Sequence, residues 1–177
     1  MSMNDKSWNV VLPNISKMMS RRDLTFHHKI NEFSLLFYDN DKNIPYILIC
    51  IFIEKVGVDN LKKHLKQSCN NTVKNYIIVY ENHMTSTCNK IIHDLFQYDI
   101  ELFSYHEFFY DITQLYYYIP HKKVEDADHI LELKKIYGNK FPIINISDPI
   151  CKYFNFKKDD ILKITRSETE IAYRIVK

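Results

Sequence analysis

Between Ile44 and Ile53 the chain reads Ile-Pro-Tyr-Ile-Leu-Ile-Cys-Ile-Phe-Ile, without one charged side chain. A run of this kind has to be shielded from water on every side, as a membrane span or as the middle strand of a covered sheet. A spanning helix needs about 20 apolar residues. Here there are ten, interrupted by Pro45. The run therefore predicts a central strand over Ile47 to Glu54, covered on both faces, with Cys50 buried as a small hydrophobe.

The surrounding sequence supplies the cover. Tyr76 to Tyr80 has the same two-sided apolar character, while Phe33 to Tyr38 and Tyr98 to Phe103 read as further strands. Helical segments over Val58 to Lys66 and Thr85 to Leu95 separate them. An opening helix over Trp8 to Met19 carries Trp8, Val11, Leu12, Ile15, Met18 and Met19 toward one side, despite Pro13 near its start, and Lys17, Arg21 and Arg22 cluster at its end. This alternation defines an α/β layer structure. A last strand over Ile112 to Tyr118 precedes Pro120-His121-Lys122-Lys123, read as a link to a second domain that starts with a helix over Asp126 to Tyr137.

The final third is a compact unit of another kind. Phe141 to Ile146 is short, β-branched and bounded by prolines, as a buried strand requires. Ser147 or Asp148 can cap a helix whose first residue is Pro149, where a missing N–H costs nothing. That helix is predicted to end near Phe154, with Ile150, Tyr153 and Phe154 on its apolar side. Ile161 to Thr165 and Ile171 to Val176 are two strands joined by the polar stretch Arg166-Ser167-Glu168-Thr169-Glu170.

The ordered residues Pro142, Ile143, Asp148, Pro149, Tyr153, Lys157, Lys163, Ile164, Arg166, Ser167, Glu168, Thr169, Tyr173 and Arg174 resemble the C-terminal module of the shared fifth subunit of eukaryotic nuclear RNA polymerases, a module that also has an archaeal counterpart. Asn155 and Asp159 stand where that family usually has glycine. Both are residue types that tolerate positive φ, so the turns are expected to persist. The loop after Ser167-Glu168-Thr169 is shorter than the family's. The strand and turn Ile77 to Thr85 and the segment Ile119-Pro120-His121-Lys122 also resemble the eukaryotic family's N-terminal jaw domain and its linker, with Ser86 and Cys88 in place of proline and alanine.

The resemblance implies an α/β jaw domain over residues 1–118, a nuclease-like mixed sheet with helices, and a small α+β assembly domain over residues 119–177. It implies a noncatalytic subunit of a multisubunit DNA-dependent RNA polymerase, which docks on the largest subunit and flanks downstream duplex DNA. By the same resemblance the docking residues are Asp148, Arg166, Ser167, Glu168, Tyr173 and Arg174. Tyrosine and arginine are favoured interface anchors, although Glu168 and Arg174 could instead pair across the hairpin. Thr85, Ser86 and Lys90 are expected near DNA, where a helix start with hydroxyls and a lysine meets backbone phosphates. Thr85 could equally do no more than cap its helix.

Other chemistry is weighed against this. His83, Cys88 and His93 are five residues apart, with Cys69 elsewhere, a poor pattern for zinc. Because jaw domains are similar in fold to certain nucleases, a stand-alone nuclease-like or nucleic-acid-binding protein is the alternative. Asp39, Asp41 and Glu54 supply carboxylates, but Lys55 follows Glu54 directly and points to the opposite face. Ser104-Tyr105-His106-Glu107 has triad residue types but no oxyanion turn. With Gly57 and Gly138 as the two glycines of the chain, a phosphate-cradling loop is excluded. No cofactor, metal, membrane or small-molecule substrate is expected. The four dispersed cysteines fit a reduced compartment, and a net charge of +2 fits local rather than free-standing DNA contact. Two glycines beside 13 tyrosines point to an A+T-rich coding sequence. A large DNA virus is the favoured origin, which would put the protein in the virion and host cytoplasm; a cellular origin would put it in the nucleus.

Overall fold

The computed structural model describes residues 5–53, 55–68 and 72–177, with side chains from Asn9 onward. The chain is mixed α/β and divides into two compact units, Met1–Tyr110 and Asp111–Lys177.

The first unit begins with α1 (Asp5–Arg21) and continues through β1 (Leu24–Asn31), β2 (Ser34–Asp39), β3 (Pro45–Ile51), β4 (Lys55–Val56), α2 (Val58–Ser68), β5 (Asn75–Tyr80), β6 (His83–Met84), α3 (Ser86–Asp94) and β7 (Asp99–Ser104). Its main sheet has the order β1-β2-β3-β5-β7. The first two pairings are antiparallel and the last two parallel. Ile47 to Ile51 and Tyr76 to Val79 are buried throughout, as the apolar run demanded. Alternation along the strands explains how. Ile47, Ile49, Ile51, Tyr76 and Ile78 pack with Leu61 of α2 and with Cys88 and Ile92 of α3. On the other side Leu48, Cys50, Ile77 and Val79 are also buried, and α1 contributes Val11, Ile15, Met18 and Met19.

Three expectations for this unit change. The strand β1 is additional to the elements the sequence predicts. Pro13 sits well inside α1, and Leu12 is exposed, because buried Asn14 takes the next inward position and donates from Nδ2 to the Phe108 carbonyl at 2.9 Å. The Trp8 side chain lies outside the described residues, as do Glu54 and Cys69.

The second unit comprises β8 (His121–Lys123), α4 (Ala127–Tyr137), β9 (Ile143–Ile144), α5 (Pro149–Tyr153), β10 (Ile161–Thr165) and β11 (Ile171–Val176). The sheet order is β8-β10-β11-β9, with β9 parallel to β11 and the other pairs antiparallel. Two small cores cover its faces. Leu133 of α4 packs with Val124, Ile161, Tyr173 and Ile175 on one side. Cys151 of α5 packs with Ile144, Leu162 and Val176 on the other.

The supposed strand over Ile112 to Tyr118 is instead a 3-10 turn, Ile112–Gln114, capped by the Asp111 side chain, followed by further turns. The supposed link contains β8, which pairs Lys122 with Lys163. The predicted strand over Phe141 to Ile146 shrinks to two residues, of which Ile144 is buried and Ile143 is 59% exposed.

Candidate docking surface

The start of α5 is built as its residue types require. Asp148 is the N-cap and accepts the Ile150 N–H at 2.9 Å, and Pro149 takes the first helical position. Cys151 and Tyr153 are the residues this short helix buries; Ile150 and Phe154 are half-buried. After the helix the chain turns through Asn155 and Asp159 at φ of 54° and 70°. Both are left-handed, as their residue types allow. The Lys177 ammonium donates to the Asp159 carboxylate, and this bond is the first cause holding the Asp159 carboxyl below its ordinary range.

The β10–β11 hairpin carries the other candidate docking residues. At its tip the Arg166 guanidinium meets the Glu170 carboxylate at 2.9 Å, and the Ser167 hydroxyl accepts the Glu170 N–H at 3.0 Å. Arg166, Ser167 and Glu168 are exposed. The cross-strand pair considered above does not form. Arg174 lies opposite Leu162, and it does not pair with Glu168. Tyr173 lies opposite Lys163 and turns toward α4, with its ring edge-on to His129 at 5.5 Å. It is therefore partly an internal packing residue. The structure thus brings Arg166, Ser167 and Glu168 together at one tip and seats Asp148 at the start of α5.

In the first unit Thr85 caps α3. Its hydroxyl accepts the Cys88 N–H at 3.4 Å and lies 3.1 Å from the Cys88 thiol, which in turn donates to the Val56 carbonyl at 3.5 Å. Ser86 and Lys90, one turn apart, are exposed.

The residues weighed for catalysis have local explanations. One Asp39 oxygen accepts the N–H groups of Asp41 and Lys42, which closes the turn after β2. Glu107 accepts the Ser104 N–H at 2.8 Å, so Ser104-Tyr105-His106-Glu107 is a capping box for a 3-10 turn. Cys88 is fully buried, whereas the His93 side chain is 92% exposed. No cluster of three metal-ligating groups exists among the described residues, nor a helix long and apolar enough to cross a membrane.

A four-stranded mixed sheet with one helix on each face and an exposed hairpin tip makes the second unit a small α+β module. Comparison with known families gives a match of residues 111–176 to the RNA polymerase Rpb5, C-terminal domain. The resemblance drawn from the motif is borne out. Over 130 residues the chain is 30% identical to the subunit RPABC1 of DNA-directed RNA polymerases I, II and III from Caenorhabditis elegans, a match that covers 69% of this chain and 61% of the nematode protein. It is 51% identical over 41 residues to the uncharacterized protein 092R of Invertebrate iridescent virus 3, covering 22% of this chain and 24% of that one. Over 44 residues it is 43% identical to protein 454R of Invertebrate iridescent virus 6, named as a candidate DNA-directed RNA polymerase subunit, with 25% and 24% covered. The chain thus spans less than two thirds of the length of each of these relatives.

Proposed function

We propose that this chain is a noncatalytic subunit of a multisubunit DNA-dependent RNA polymerase. The observation that carries the reading is the match of residues 111–176 to the Rpb5 C-terminal domain, over a unit that forms the expected helix start and hairpin. In this reading the second unit is the assembly domain and docks on the largest subunit through Asp148, Arg166, Ser167, Glu168, Tyr173 and Arg174. The first unit is the jaw domain and flanks downstream duplex DNA. Ser86 and Lys90 face the phosphate backbone there, and Thr85 sets the helix start that presents them. The likeness to the two iridescent virus proteins supports a viral chain working in virion and host cytoplasm.

The decisive experiment is affinity purification of the tagged chain from its native setting, with mass spectrometry and primer extension on the eluate. Two very large subunits and templated RNA synthesis are the expected result. Recovery of the chain without them, from a lysate in which intact polymerase is demonstrated, overturns the reading.

A further inference from the structure

Within the second unit the turns after Asp111 and the first residues of α5 enclose an open cavity of about 370 Å³. Ile112, Leu115, Ile119 and Ile150 supply apolar walls, and Tyr117 and Tyr118 line it as well. Tyr117 remains 64% exposed. Pro149 adds to the wall, and the lining includes one imidazole, His121, and one carboxylate, Asp148.

The chemistry of those two groups selects the occupant. His121 Nδ1 lies 2.6 Å from the Ile119 carbonyl oxygen. A carbonyl can only accept, so Nδ1 carries the ring proton and Nε2 of the neutral imidazole is an acceptor. One Asp148 oxygen receives the Ile150 N–H, and the other is a further acceptor with no partner among the described residues. An anionic occupant meets a like charge at Asp148. A wholly apolar one strips water from two acceptors and returns nothing. A cationic donor on a long apolar stem satisfies both, and a planar guanidinium also stacks on tyrosine rings, which an ammonium does less well.

We propose that this cavity receives an arginine side chain presented by a partner protein, its stem against Ile112, Leu115 and Ile150 and its guanidinium donating to Asp148 and His121. That the partner is the largest polymerase subunit rests on the function proposed above; the arginine specificity does not.

The test uses the full-length chain and benzamidine, an apolar amidinium, with benzamide and benzoate as its neutral and anionic counterparts, read by NMR of the tyrosine and histidine side chains. Benzamidine is expected to shift His121 and Tyr117 with a millimolar dissociation constant, and benzoate is expected not to bind. Asp148→Asn keeps an N-cap acceptor, so the helix start survives, and it should weaken benzamidine about tenfold, the worth of one charge-assisted hydrogen bond. Equal binding of benzamide and benzamidine, or no effect of Asp148→Asn, overturns the arginine assignment. Self-association abolished by Asp148→Asn would assign the arginine to a second copy and overturn the partner assignment. Undiminished co-purification of Asp148→Asn with polymerase does so too. Failure of the wild-type chain to co-purify would instead strike the polymerase reading and leave the benzamidine result standing.

Discussion

The Arg22 guanidinium holds the Glu101 carboxylate through two parallel bonds of 2.9 and 2.8 Å. The side chains are 6% and 11% exposed, and the guanidinium carbon sits 5.8 Å from the centre of the Phe103 ring. This clip ties the end of α1 to β7, the outermost parallel strand, and so fixes the helix against the sheet. Removing one partner breaks a bidentate pair whose two side chains are nearly buried. Glu101→Ala should cost about 3 kcal/mol of stability, and the double change Arg22→Met with Glu101→Leu should regain most of it. Urea unfolding midpoints of wild type, the two single variants and the double variant decide the matter; additive losses would show the pair to be independent.

Asn155 and Asp159 occupy the left-handed region, where a β-branched residue collides with its own backbone. Asn155→Val should therefore lose about 1–2 kcal/mol, whereas Asn155→Gly should change stability by less than about 1 kcal/mol, because glycine adopts the same φ freely but has more freedom to lose. Thermal unfolding of the three chains checks this. A harmless valine would mean that the turn is not left-handed.

These turns were legible in the sequence because the requirement is local. So were α4, β10, β11 and the α5 start, each marked by its own capping residue or β-branched run. Where the sequence misled, a longer-range cause acted. β1 (Leu-Thr-Phe-His-His-Lys-Ile-Asn) shows no alternation because bulges at His27 and Ile30 shift its register and its edge position leaves most of it exposed. The aromatic run Tyr116-Tyr117-Tyr118 looked like a strand, but its chain is turned by the Asp111 cap, and Tyr116 is 97% exposed. The site divides in the same way. Asp148 as a cap was readable from the Asp-Pro pair, but its meeting with Ile112, Leu115 and His121 depends on how the chain returns to itself. Residue type alone marks Tyr173 as an interface anchor; only the register of β11 shows that it also packs beneath α4.

Burial pushes the Cys50 thiol up to about 12. An acid whose folded value is raised stabilises the fold fully below its ordinary value, and that contribution is lost as the pH climbs from there through about 12. Cys50 should therefore resist alkylation at mildly alkaline pH until the first unit opens, with a rate that follows unfolding rather than the thiolate fraction of a free thiol. Mass mapping of iodoacetamide adducts against urea concentration tests this. Rapid modification of Cys50 in the native protein would contradict its buried place in β3.

Arg166 and Tyr173 require different substitutions if docking is to be separated from folding. The Arg166–Glu170 pair is exposed, with side chains 46% and 59% accessible, and such pairs contribute about 0–1 kcal/mol. Arg166→Ala should leave the unfolding midpoint nearly unchanged and sharply reduce recovery of the largest polymerase subunit. Tyr173→Ala would confound the two, because the ring supports the core under α4 through His129 and Ile175. Tyr173→Phe keeps that ring and removes only the hydroxyl. If the hydroxyl meets the partner, Tyr173→Phe lowers co-purification while circular dichroism and thermal stability stay at the wild-type values. If co-purification is unaffected by Tyr173→Phe yet lost with Arg166→Ala, the docking surface is centred on the hairpin tip and Tyr173 acts as internal support. Full recovery with both would place docking outside the hairpin altogether.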